Sequence, residues 1–155
     1  MARVTSAKSK PLAILDSNII VYAMVEDYPN KLHHNKCLML LEKGLKGELD
    51  HILTLNPIIV VEVFSALRKL LNLPEAEFRV CSLLRSRRLV FLSISKEACQ
   101  NSVRWAKEKN IPVNDSLIGA NMVESAGLVY TVDEDHFKKL EEHGIKILNP
   151  IKSSL

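Results

Sequence analysis

The chain is poor in aromatic residues and has no paired cysteines. Only 5% of its 155 residues are aromatic, so a core must be built mostly from Leu, Ile and Val. The three cysteines, Cys37, Cys81 and Cys99, are odd in number, far apart and without a C-x-x-C pair. That excludes a disulfide framework and a cysteine-held zinc, and it suits a reducing, cytoplasmic setting. No apolar run reaches the roughly 18 residues of a membrane span. A strong charge of one sign is missing too. The net charge of +3 permits a nucleic-acid partner and argues nothing more. There is no internal repeat and no low-complexity segment. The first residues, "MARVTSAKSK", are basic, and an apolar stretch follows. Asp16 and Asn18 interrupt that stretch and no convincing small-residue cleavage site follows, so a signal peptide is not expected. Residues 1–10 read as a loose basic tail and residues 11–155 as one domain.

Hydrophobic residues make up 47% and charged residues 25%, an ordinary globular balance. The length fits one domain with a sizeable core. Five apolar runs read as strands: "LAIL" (12–15), "HILTL" (51–55), "LVFLSI" (89–94), "LVYTV" (128–132) and "IKIL" (145–148). Helical patterns lie between them. One starts near Ser17 and ends before Pro29. Residues 30–44 carry Leu38 and Leu41, with Gly44 near the end. Pro57 opens a third helix and Pro74 a fourth. Ser95 can cap a fifth, running to about Lys109. Residues 114–127 form a sixth with Gly127 as its stop, and residues 133–144 a short seventh closed by Gly144. Apolar strands alternating with helices predict an α/β fold: a three-layer αβα sandwich around a mostly parallel sheet of about five strands. In such sheets the chemistry sits past the carboxyl ends of the strands.

Acids stand at those places. Asp16 follows the first strand, Asp133 follows the fourth, and Asp115 opens a helix in "VNDSLIGA". Glu62 is the only polar residue in "IIVVEVF". Taken singly, each aspartate is explained by helix capping, and Glu62 as a buried acid paired with one of the arginines. Taken together they would converge on one edge of the sheet. Charges about 4 Å apart repel by about 4 kcal/mol at an effective dielectric near 20. Without a cation some of the acids must stay protonated. A divalent metal removes the conflict, and all-oxygen ligation selects Mg²⁺ or Mn²⁺ over zinc. Such an ion orients a phosphate, activates water and stabilises a leaving oxygen.

These segments resemble the motifs of PIN domains. "ILDSNIIVYA" resembles the opening motif, "NPIIVVEVFSALRK" the second, "NDSLIGANMVESAG" the third and "LVYTVDEDHF" the fourth. In order they span about residues 12–150, and the likeness is nearest to the small VapC-type toxins of toxin–antitoxin pairs. The resemblance implies a metal-dependent endoribonuclease that hydrolyses RNA phosphodiester bonds with Mg²⁺ or Mn²⁺. It carries over Asp16, Glu62, Asp115 and Asp133 as the catalytic, metal-holding set, with Ser17 and Thr131 as supports. It also implies a cognate antitoxin and a homodimer. In the fourth motif an extra residue precedes the aromatic, so Asp135 competes with Asp133; Asp133 is favoured because it is nearer the strand.

Three other readings remain. One is a PIN-like RNA-processing nuclease outside any toxin system. Another is a haloacid-dehalogenase-type phosphohydrolase, which also begins with a strand ending in Asp; it needs a second Asp where Asn18 stands. The last is a non-catalytic PIN-like module, which has no reason to bear four repelling acids. The histidines His33, His34, His136 and His143 read as surface residues. Arg68, Lys69, Arg79, Arg85, Arg87 and Arg88 can hold an RNA backbone or simply face solvent. Trp105 and the tyrosines show no base-stacking pattern and suit a core or an interface.

Overall fold

The structure is a computed structural model and describes residues 9–152. The expected basic tail falls outside the described residues except for Ser9 and Lys10. The Lys10 ammonium donates to the carbonyls of Gly47 and Leu49. Among the described residues there are five strands: β1 (Leu12–Leu15), β2 (Ile52–Leu55), β3 (Val90–Phe91), β4 (Leu128–Tyr130) and β5 (Lys146–Leu148). They form one sheet of order β3-β2-β1-β4-β5, parallel throughout. Ala13, Ile14, Leu15, Leu53 and Val129 are almost wholly buried. Strands covered on both faces must be apolar along their length, which is why they read as short hydrophobic runs.

Among the described residues seven helices flank the sheet: α1 (Ser17–Met24), α2 (Lys31–Lys46), α3 (Pro57–Leu70), α4 (Leu73–Arg85), α5 (Lys96–Lys109), α6 (Val113–Met122) and α7 (Asp135–Lys138). Their contacts fall into two groups. α1 packs on α2 and α3, and α3 on α4; α5 packs on α6, and α6 on α7. Right-handed crossovers place the first group on one face of the sheet and the second on the other. The result is the expected αβα sandwich. The chain winds one way from β1 through β2 to β3 and the other way from β4 to β5. The switch point therefore lies between β1 and β4, where parallel α/β sheets bind their ligands. α3 and α6 also touch each other.

Local chemistry sets the boundaries. Asn56 caps α3 by accepting from the Ile59 N–H, and Pro57 supplies a first residue that needs no donor. Ser95 caps α5 in the same way, through the Ala98 N–H. Gly44 does not end α2. It lies inside the helix, where a Cβ would come within 2.1 Å of Leu53 Cδ1, so its role is close helix–sheet approach. The stop is Gly47, in the left-handed conformation at φ 74°.

Several expected boundaries move. β3 is two residues long, not six, because β2 ends at Leu55 and offers an edge strand no further partner. α6 ends at Met122, and a turn closed by the Gly127 N–H donating to the Met122 carbonyl carries the chain to β4. The expected helix over 133–144 divides into α7 and a 3-10 turn, Glu141–His143. Among the described residues no helix is long and apolar enough to cross a membrane.

Candidate active site

Asp16 ends β1 and caps α1. In the β1–β4 register Leu15 lies opposite Tyr130, and the Asp16 N–H donates to the Tyr130 carbonyl at 2.9 Å. Asp16 and Thr131 are thus the next residues out on neighbouring strands. The Asp16 carboxylate is buried and accepts from both sides. Oδ1 takes the Ser17 N–H at 2.8 Å and Oδ2 takes the Thr131 hydroxyl at 2.8 Å. Thr131 Oγ1 in turn accepts from the Asp133 N–H at 3.1 Å and from Asn18 Nδ2 at 3.4 Å. β4 stops at Tyr130, two residues earlier than expected, because the Thr131 side chain draws the backbone of Asp133 into a local turn. Burial pushes the Asp16 carboxyl up to about 6. The Thr131 bond opposes the rise, and the charges of Asp115 and Asp133 add to it.

Glu62 lies on the second turn of α3. Among the described residues it has no arginine partner, so the ion-pair reading fails there; its Oε1 is buried without any hydrogen bond. Burial, then the negative charges of Asp16 and Asp115, push Glu62 up to about 7, and Asn114 relieves this in part. Asp115 is the third residue of α6, whose N-cap is Pro112 without a side-chain bond, so Asp115 is not the cap. Its Oδ2 lies 2.5 Å from His136 Nδ1. Burial raises the Asp115 carboxyl above its ordinary value, and His136 opposes that rise. Asp133 is exposed on the loop after β4, and Asp135 is the exposed first residue of α7. Asp133, not Asp135, is among the charges that raise Asp16 and Asp115.

Capping therefore accounts for Asp16 alone of the aspartates, and only in part. The structure brings Asp16, Glu62 and Asp115 near enough to oppose one another's ionisation, with Asp133 beside them. Sequence reasoning missed Asn18 and His136. Asn18 stands at the site because it lies two residues past Asp16, and its Oδ1 is a second buried oxygen without a hydrogen bond. His136 was expected on the surface, and nothing in the spacing links it to Asp115, on a different helix. His34 is buried too, with Nδ1 2.8 Å from the Tyr22 carbonyl, and His143 stacks on the buried Trp105. Both rings lie over neighbouring helix surfaces, which a one-dimensional pattern does not display.

The donor chemistry fits a hard divalent cation. Several carboxylates share one crevice, and among the described residues two buried oxygens lack donors and no lysine or arginine forms an ion pair with the acids. The side chains do not form a closed cage. Among the described residues no three His, Cys, Asp or Glu groups are gathered around one point, and His136 holds one oxygen of Asp115.

The profile of the PIN domain matches residues 13–142. The chain belongs to the PIN-domain family. Among solved structures, this PIN domain is similar to VapBC2 from Rickettsia felis bound to a DNA fragment from its promoter. The identity is 19% over 89% of this chain and 98% of that one, with a TM-score of 0.66. It is also similar to Mycobacterium tuberculosis VapC20, a sarcin-ricin loop cleaving toxin, at 11% identity over 81% and 93% and a TM-score of 0.66. A third is VapBC-1 from nontypeable Haemophilus influenzae, at 19% identity over 91% and 99% and a TM-score of 0.64. At these identities the likeness is one of fold. The search of curated protein sequences gives no match.

Proposed function

We propose that this PIN domain is a metal-dependent endoribonuclease of the VapC kind, the toxin of a toxin–antitoxin pair. The observation that carries the reading is the mutual opposition of the acids. Glu62 is raised by burial and then by the charges of Asp16 and Asp115, which come from separate elements meeting at the sheet's switch point. A fold has no structural use for such a set, whereas a site for a cation on a phosphodiester does.

Asp16, Glu62, Asp115 and Asp133 would hold Mg²⁺ or Mn²⁺. When bound, the ion supplies Lewis-acid polarisation of the phosphodiester and activates the attacking water. The chain's own residues do the rest. Ser17 and Thr131 hold Asp16 by both oxygens, so its ring of lone pairs is aimed by the sheet and not by solvent. His136 restrains Asp115 through Oδ2. The buried Asn18 Oδ1 and Glu62 Oε1 remain as free acceptors.

A cognate antitoxin, a homodimer in solution, a cytoplasmic location and a single domain over residues 11–155 complete the proposal. Antitoxin-bound relatives such as the VapBC structures support the first of these. The test is cleavage of single-stranded RNA by the purified chain. Cutting in Mg²⁺ or Mn²⁺ that stops with EDTA and with Asp16→Asn is expected. Cutting that survives thorough chelation sinks the reading, since no Ser–His or Cys–His arrangement stands ready as a substitute.

A further inference from the structure

An open groove of about 510 Å³ runs from the acids along α3, lined by Ser17, Glu62, Ser65, Ala66, Lys69 and Leu70. Ser17 and Glu62 belong to the acid site. The other four continue from it along one face of the helix, at the spacing that stacks side chains in a row. Lys69 lies two turns beyond Glu62, about 10 Å along the helix axis. We propose that this groove seats the RNA strand beside the cut, and that Lys69 holds a phosphate next to the one at the acids. The proposal rests on the endoribonuclease reading above and extends it to how the strand is held.

Charge and shape favour this occupant. Lys69 is exposed and forms no ion pair among the described residues. A lysine in the last turn of a helix is favoured by the helix dipole alone, but Arg68 satisfies that preference equally and does not line the groove. What distinguishes Lys69 is its position at the far end of a channel that starts at the acids. Ser65 and Ala66 are small, so an extended backbone can lie close to the helix, and Ser65 adds a hydroxyl for a phosphate oxygen. Leu70, 52% exposed at the far end, offers apolar surface to a base. An acidic peptide would suit Lys69 but would bring its carboxylates toward Glu62 and Asp16. A phosphodiester strand meets the acids through a shared cation and the lysine directly.

The experiment uses full chains carrying Asp16→Asn, so that RNA is bound and not consumed. Fluorescence anisotropy with a labelled single-stranded RNA in Mg²⁺ is followed across a salt series. Adding Lys69→Ala is expected to weaken binding several-fold at low salt. It should also make the slope of log K against log salt shallower by about 0.7, the loss of one phosphate contact. Lys107→Ala, on the exposed face of α5, should leave both as in the parent. Ser65→Trp, which obstructs the groove without changing charge, should weaken binding with the slope per contact retained. If the parent binds RNA and Lys69→Ala matches it in affinity and slope, the groove assignment is overturned while the nuclease reading stands. If the parent binds no single-stranded RNA at any salt, the nuclease reading fails and the groove assignment with it.

Discussion

Thr131 Oγ1 lies 2.8 Å from Asp16 Oδ2, joining the ends of β4 and β1 across the switch point of the sheet. The same hydroxyl accepts from Asp133 and Asn18. One side chain therefore couples the orientation of three residues at the crevice. Thr131→Val keeps the shape and removes the hydroxyl. The buried Asp16 oxygen loses its donor, a change that costs about 1–3 kcal/mol. Urea melts at pH 8 without metal should show that loss, together with slower RNA cutting. A variant as stable and as active as the parent would show that the hydroxyl is dispensable.

The raised carboxyls give stability a direction in pH. Glu62 rises from 4.5 to about 7 and Asp16 from 3.8 to about 6 on folding. Between the unfolded and folded values the native state holds the proton and the unfolded state does not, so stability falls as pH rises through that window. The loss begins near pH 4 and is complete above about 7. Glu62→Gln removes one of these groups. In EDTA it should melt with the parent at pH 4 and above the parent at pH 8. The opposite order at pH 8 would mean that the Glu62 charge is stabilised by something other than a cation.

Asp16 separates capping from chemistry. A cap alone predicts that Asp16→Ala costs about 1 kcal/mol whether or not metal is present. Membership of a crowded acid set predicts relief of repulsion in EDTA that offsets the lost cap. It also predicts a Mg²⁺ stabilisation much smaller than the parent's. Thermal melts of both chains in EDTA and then in Mg²⁺ decide between the two, and cutting of RNA should be lost.

Asp133 and Asp135 are to be compared as single Asn variants. Asp133 is bonded through its backbone to Thr131 and adds to the rise in Asp16 and Asp115. Asp133→Asn should slow cleavage far more than Asp135→Asn. A larger effect at Asp135 would place the fourth acid on α7 instead.

Much of this was legible before the fold was seen, for physical reasons. Strands buried on both faces carry continuous apolar runs, so β1, β2, β4 and β5 were readable within a residue or two at most ends. Helix starts write themselves into the chain as Pro57 and Ser95, whereas the Asn56 cap beside Pro57 shows only in the structure. What escaped was whatever depends on neighbours distant in sequence. The length of β3 is set by where β2 stops. Gly44 is small because of Leu53. His136 faces Asp115 because α6 and α7 pack together. Thr131 was placed near the acids, but its several bonds follow from the β1–β4 register, which no local pattern encodes.

The central position of β1 also bears on timing during synthesis. β1 is made before the other strands, yet its neighbour β4, with Thr131 and Asp133, follows β2 and β3. A ribosome-bound chain that has produced α1 to α5 has Asp16 and Glu62 but neither the strand that fixes Asp16 nor the last acids. The acid set is therefore complete only once the chain has been made through Asp133. On the proposed reading, a chain made in this order gains its cutting site only after β4 has joined the sheet.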